Sequence, residues 1–168
     1  MQLRSIDKAR YSRHYKIVFV LIVSALIVIS LATSSLLIHY FSTPEASHFI
    51  HNLAGVVVAV MVVSFIVFQM RGHPFMDEVV YVWNLKQQLN RIYRKQRKIE
   101  PLIEDNNLDA MVIMNFMYQG SKQLYELDDN TITMDDLAIK IQALDVRLKA
   151  AGLALTTAQY DPSMLERF

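Results

Sequence analysis

The most constraining feature of this chain is a pair of uninterrupted apolar runs, Ile17–Ile38 and Phe49–Met70, with a short polar stretch around Ser42-Thr43-Pro44-Glu45 between them. Each run is 22 residues long and contains no Asp, Glu, Lys or Arg. As α-helices they extend about 33 Å each, enough to cross the hydrocarbon core of a bilayer. A helix of that length in a soluble domain would show a polar stripe, and neither run has one. The expected architecture is an all-α membrane protein. A two-helix transmembrane hairpin (residues 17–71, spans about 17–40 and 48–70) follows a basic lead-in at 1–16. It carries a small cytoplasmic three-helix bundle over 74–152 and a tail at 153–168.

The first run is too long for the hydrophobic region of a secretory signal, which spans about 7–15 residues, so a retained anchor is expected. Orientation follows from the basic residues. Arg4, Lys8, Arg10, Arg13 and Lys16 precede the first run and Arg71 closes the second, whereas the connection has no Lys or Arg. The positive-inside bias therefore predicts that both termini are cytoplasmic. In the connection, Ser42 or Thr43 suits an N-cap, Pro44 a first helical position and Glu45 a capping box, predicting a second helix from near Pro44. So short a turn forces antiparallel neighbours.

Lipid gives no hydrophobic drive for helix association, so contact between spans depends on small residues. Ser30 and Ser34 on the first helix and Gly55 and Ala59 on the second have the spacing for a close crossing. Gly72 and Pro74 then break the second helix and form a candidate hinge, because proline lacks an N–H and restricts the residue before it.

A third helix is expected over 74–99. Its Val82, Leu85, Leu89, Ile92, Gln96 and Ile99 recur at 3-4-3-4-3 spacing, and Pro101 ends it. A fourth covers Leu108–Leu127, whose Met111, Met114, Phe116, Met117 and Tyr118 read as core. A fifth follows Thr133, with Asp135 and Asp136 in its first turn, a seam of Leu137, Ile141, Leu144 and Leu148, and Gly152 at its end. A short final helix is expected after Pro162.

Charge divides the chain. Residues 1–98 hold 12 Lys/Arg against 4 Asp/Glu, and residues 99–168 hold 5 against 12, so the net charge of +1 conceals two opposed halves. That asymmetry suggests self-pairing or two kinds of partner. Arg91, Arg94, Lys95 and Lys98 lie within about 100° of one another on the third helix, opposite its apolar seam. This basic face suits anionic lipid if the helix lies along the membrane, and an acidic partner if it stands away. The acidic second half and the lack of a recognised module leave no nucleic-acid partner expected.

His39, His48 and His51 gather at the outer end of the hairpin near Glu45, a set that can hold zinc or another borderline metal. With no cysteine there is no thiolate ligand or Cys nucleophile. No Ser/His/Asp, paired-carboxylate, Gly-rich phosphate-cradling or His-Glu-x-x-His pattern is present either, so no catalytic residues and no cofactor are expected.

Five segments together carry a resemblance: Pro44-Glu45-Ala46-Ser47-His48-Phe49, Asn52-Leu53-Ala54-Gly55-Val56, His73-Pro74-Phe75-Met76, Val82-Trp83-Asn84-Leu85-Lys86 and Leu89-Asn90-Arg91-Ile92-Tyr93-Arg94-Lys95. The chain resembles a domain-of-unknown-function family of small two-span gammaproteobacterial inner-membrane proteins. The resemblance implies a bacterial inner-membrane location and no activity or site residues. The expected role is a non-catalytic, membrane-anchored adaptor or accessory subunit for a protein partner or a second copy. The alternative is a metal or small-ligand sensor, or transport accessory, using the three outer histidines.

Overall fold

The computed structural model describes residues 2–43 and 47–168. Among them there are helices and turns and no strand. Five α-helices follow one another: α1 (Lys8–Phe41), α2 (Phe49–Met70), α3 (Asp77–Ile99), α4 (Leu108–Leu127) and α5 (Met134–Ala150). Short 3₁₀ turns lie at Pro74–Met76, Glu100–Ile103, Thr157–Gln159 and Pro162–Arg167.

Several boundaries differ from the sequence expectation. α1 starts at Lys8, inside the basic segment expected as a separate lead-in, because Lys and Arg are good helix formers and nothing there breaks the helix. α2 begins at Phe49 after His48, later than the start expected near Pro44. The predicted capping turn falls on Pro44 and Glu45, which lie outside the described residues. α3 begins at Asp77 rather than Pro74, since Pro74–Met76 forms a 3₁₀ turn capped by His73, whose Nδ1 accepts from the Phe75 amide at 3.2 Å. α4 has the expected limits, and α5 ends at Ala150, just before Gly152.

The chain divides into two compact units, one of them Ala9–Val80 and the other Tyr81–Phe168 together with the chain up to Lys8. In the first, α1 and α2 pack as an antiparallel pair: Ser34 meets His51 and Asn52, while Ser30 meets Gly55. Only a narrow stripe of α2 is buried, made of Gly55, Ala59 and Val63. The other faces are apolar and bare, with Val28 65% and Phe68 65% exposed. Both helices are long and apolar enough to cross a membrane, and neither is buried within this chain.

The second unit is built around α4, which is buried from Ala110 to Phe116 without interruption. A helix can be enclosed in this way only when other elements cover every side of it. α3 contributes the seam expected from its spacing: Val82, Leu85, Leu89, Ile92 and Ile99 are all buried. α5 contributes Leu137, Leu144 and Leu148. The remaining cover comes from the C-terminal tail, where Tyr160 stacks on Phe116 at 4.2 Å and Leu165 is buried. The N-terminal segment belongs to the same unit. The Arg4 amide donates to the Tyr81 hydroxyl at 3.1 Å, and Gln123 Nε2 donates to the Arg4 carbonyl at 2.5 Å.

Candidate functional site

Between α3 and α5, above α4, the second unit leaves a groove of about 530 Å³. Met117, Tyr118 and Tyr125 of α4 form its floor, Leu89 and Tyr93 line the α3 side, and Leu137 the α5 side. Tyr93 is 67% exposed at the rim, whereas Tyr118 is buried. The groove follows from the helical periods. The α3 seam turns Leu89 toward α4, and Tyr93, one turn on, stands beside it in the open.

Three of its lining residues, Gln96, Tyr118 and Lys140, meet at Glu100, just beyond the last turn of α3. Tyr118 donates its hydroxyl hydrogen to Glu100 Oε1 at 3.1 Å, Gln96 Nε2 donates to Oε2 at 3.0 Å, and Lys140 Nζ lies 3.5 Å from Oε1. Burial, reinforced by the adjacent Glu100 carboxylate and the hydrogen bond to it, pushes the Tyr118 phenol well above its usual range. With three donors on it, Glu100 joins α3, α4 and α5. An apolar floor, a tyrosine rim and one fixed carboxylate favour binding of an amphipathic side-chain surface.

The residues singled out in the sequence fall in several places. Ser30, Ser34, Gly55 and Ala59 come together. Ser34 Oγ donates to Asn52 Oδ1 at 2.6 Å, and a Cβ placed on Gly55 would lie 2.8 Å from the Ser30 carbonyl oxygen. His39, His48 and His51 do not converge. His39 packs edge-on against Tyr40, Ser42 Oγ lies 2.9 Å from His48 Nδ1, and among the described residues no three His, Asp or Glu side chains form a metal-holding group. His51 Nδ1 is buried with no hydrogen-bond partner among the described residues.

The basic face divides. Lys95 Nζ donates to the Leu165 carbonyl at 2.6 Å and Lys98 Nζ to the Phe168 carbonyl at 3.5 Å, while Arg91 and Arg94 stay exposed. Two of the four cations thus serve the tail, whose last 3₁₀ turn leaves carbonyls needing donors. They do not meet an acidic helix. At the candidate hinge, α2 ends at Met70, and Gly72 is open, with nothing within 4 Å of where a Cβ would stand.

One cluster escaped the sequence reading. Glu78 in the first turn of α3 is only 7% exposed, with Arg10 Nε 2.8 Å from Oε1 and His14 Nδ1 3.2 Å from Oε2. The His14 ring in turn packs on Phe75 at 4.1 Å. In the sequence Glu78 looks like an ordinary acid at a helix start, where it suits the dipole. Its burial depends on residues more than sixty positions away, which no local pattern reports.

Fold and site together define an all-helical protein with two long apolar helices and a grooved helical unit. The chain belongs to DUF3087, a protein family of unknown function, whose model matches residues 1–165. That agrees with the kind of family implied by the resemblance. No curated protein and no solved structure matches the chain.

Proposed function

We propose that this protein is a membrane-anchored, non-catalytic adaptor or accessory subunit. α1 and α2 cross a bacterial inner membrane as a hairpin with both termini inside, and the α3–α5 unit offers its groove to a protein partner. The observation that carries the reading is the bare apolar surface around α1 and α2. Large side chains such as Leu21, Leu31, Ile50 and Phe65 are 60–66% exposed, a surface that needs an apolar medium around it. The adaptor role is supported by Tyr93 and Met117 at the groove, since tyrosine and methionine are enriched where proteins meet.

The test has two arms. Membranes carrying the full chain are washed at alkaline pH, and the protein should stay in the pellet until detergent is added. A photo-reactive amino acid replacing Tyr93 should then cross-link to one discrete partner, with the yield reduced by Met117→Ala. Recovery in the soluble fraction overturns the anchor. A cross-linking pattern at Tyr93 identical to that from exposed Asp105 overturns the docking role of the groove.

A further inference from the structure

α5 carries a second apolar seam, on the side away from α4. Its inner face buries Leu137, Leu144 and Leu148. The outer one presents Ile139, Ala143, Val146 and Ala150 at 4-3-4 spacing, while Ile132 and Leu153 lie just beyond the two ends of the helix. All are exposed: Ile132 is 90%, Ile139 66% and Val146 62% open. A solvated helix face has no physical reason to repeat apolar residues with the heptad period, which is the pattern of a helix that packs along a neighbour.

We infer that the outer face of α5 pairs antiparallel with α5 of a second copy of this chain. Large and small residues alternate along the seam, and reversal of direction sets Ile139 over the partner's Ala143. The partner's Ile139 fills the space over Ala143 in return, so the centre of the patch complements itself, as a two-fold interface requires, with Val146 and Asp136 flanking it. The charges agree. Asp135 and Asp136 stand at the start of α5 and Lys149 at its end, all exposed and without an ion pair among the described residues. Antiparallel pairing brings Asp135 against the partner's Lys149 at both ends, whereas parallel pairing sets like beside like. Arg147 and Lys140 do not oppose this, since they are already engaged, Arg147 with the Ile103 carbonyl at 3.0 Å and Lys140 with Glu100 at 3.5 Å.

The net charge of the whole unit permits self-association. The chain up to Lys8 and Tyr81–Phe168 together hold 13 Lys/Arg and 13 Asp/Glu. An anionic lipid surface, by contrast, would meet Asp135, Asp136 and Asp145 along this helix. The pairing does not require the partner-binding role of the groove, which lies on the other side of α5's inner seam.

The chain has no cysteine, so a single introduced one reports cleanly. Gln142 flanks the two-fold axis of the antiparallel pair. In the full chain in detergent micelles, Gln142→Cys should form a disulfide-linked dimer under mild oxidation, and Asp105→Cys should not. Adding Ile139→Asp, at an exposed position, should reduce the dimer at least about tenfold while the helical circular dichroism stays unchanged, because two buried isoleucines are lost per pair. Asp135→Lys should weaken it, and Asp135→Lys with Lys149→Glu should restore it. Three results overturn the proposal: a folded monomer, equal cross-linking of the Gln142→Cys and Asp105→Cys chains, or no rescue by the charge swap. Shielding of the Gln142→Cys thiol from a water-soluble maleimide only when liposomes are added also overturns it, in favour of lipid.

Discussion

Gly55 and Gly120 occupy similar-looking places, each facing a neighbouring helix, yet their surroundings differ in kind. A Cβ on Gly55 would meet backbone: Ser30 O at 2.8 Å and Ser34 N at 3.0 Å. Backbone cannot yield without moving α1, so Gly55→Ala should destabilise the hairpin by about 1–3 kcal/mol, the range of overpacking effects. A Cβ on Gly120 would meet only the tips of Leu89 and Leu85, at 3.1 and 3.3 Å. Those tips can rotate, and alanine favours the helix, so Gly120→Ala should change stability by less than about 1 kcal/mol. Thermal unfolding in detergent separates the two, and equal losses would contradict this account. The close approach at Gly55 was legible as a small-residue spacing; the Gly120 contact was not, because an isolated glycine inside a helix carries no partner information.

Tyr118 gives the residue scale a pH dependence. Its phenol is raised mainly by burial and then by Glu100, so the folded state holds the proton more tightly than the unfolded chain does. Below the unfolded value of about 10 both states are protonated and stability is whole. As pH rises past that value the unfolded chain ionises first, and stability falls until the folded phenol follows. Chemical denaturation read from the single Trp83 at pH 8 and pH 11 should show this loss, and Tyr118→Phe should shrink it. At pH 8 that substitution should cost about 0.5–1.5 kcal/mol for the hydrogen bond to Glu100. An unchanged alkaline loss in Tyr118→Phe would remove Tyr118 as its source. Tyr160, also raised by burial, would then be the group to examine.

Among the elements, the helices were readable and their tertiary fastenings were not. α3, α4 and α5 announce themselves by period, cap and breaker, which are local properties. The last turns of the chain have no period, yet Tyr160 is 3% exposed, and Gln88 donates a hydrogen bond to its hydroxyl. The start of α3 is likewise fixed by a distant element, through Arg10 and His14 on Glu78. Arg10 is 57% exposed, so screening weakens its half of the contact, while Glu78 is nearly closed off. Arg10→Ala should therefore cost about 1–3 kcal/mol by leaving a buried carboxylate with one partner fewer. The double mutant with Glu78→Ala should lose less than the sum of the two single changes. A coupling energy below about 0.5 kcal/mol in that cycle would mean the contact does not fasten α3.

At the scale of the whole molecule, the distribution of cations predicts how α1 and α2 would be oriented across a membrane. Arg4, Lys8, Arg10, Arg13 and Lys16 stand before the apolar part of α1, and Arg71 follows α2, while residues 42–48 contain no Lys or Arg. Moving the basic ends across a membrane would oppose the bias that sets topology, and the short connection between the helices carries no such obstacle. Single cysteines in this cysteine-free chain make the prediction direct. In intact bacterial spheroplasts a membrane-impermeant maleimide should label Thr43→Cys, next to the connection, and leave Thr131→Cys, between α4 and α5, unmodified. Permeabilisation should then expose Thr131→Cys to the reagent. Labelling of Thr131→Cys before permeabilisation, with Thr43→Cys protected, would invert the orientation and place the groove and the outer seam of α5 outside the cell. Equal labelling of both positions in intact cells would mean that α1 and α2 do not cross the membrane, and their exposed apolar faces would then need a protein covering.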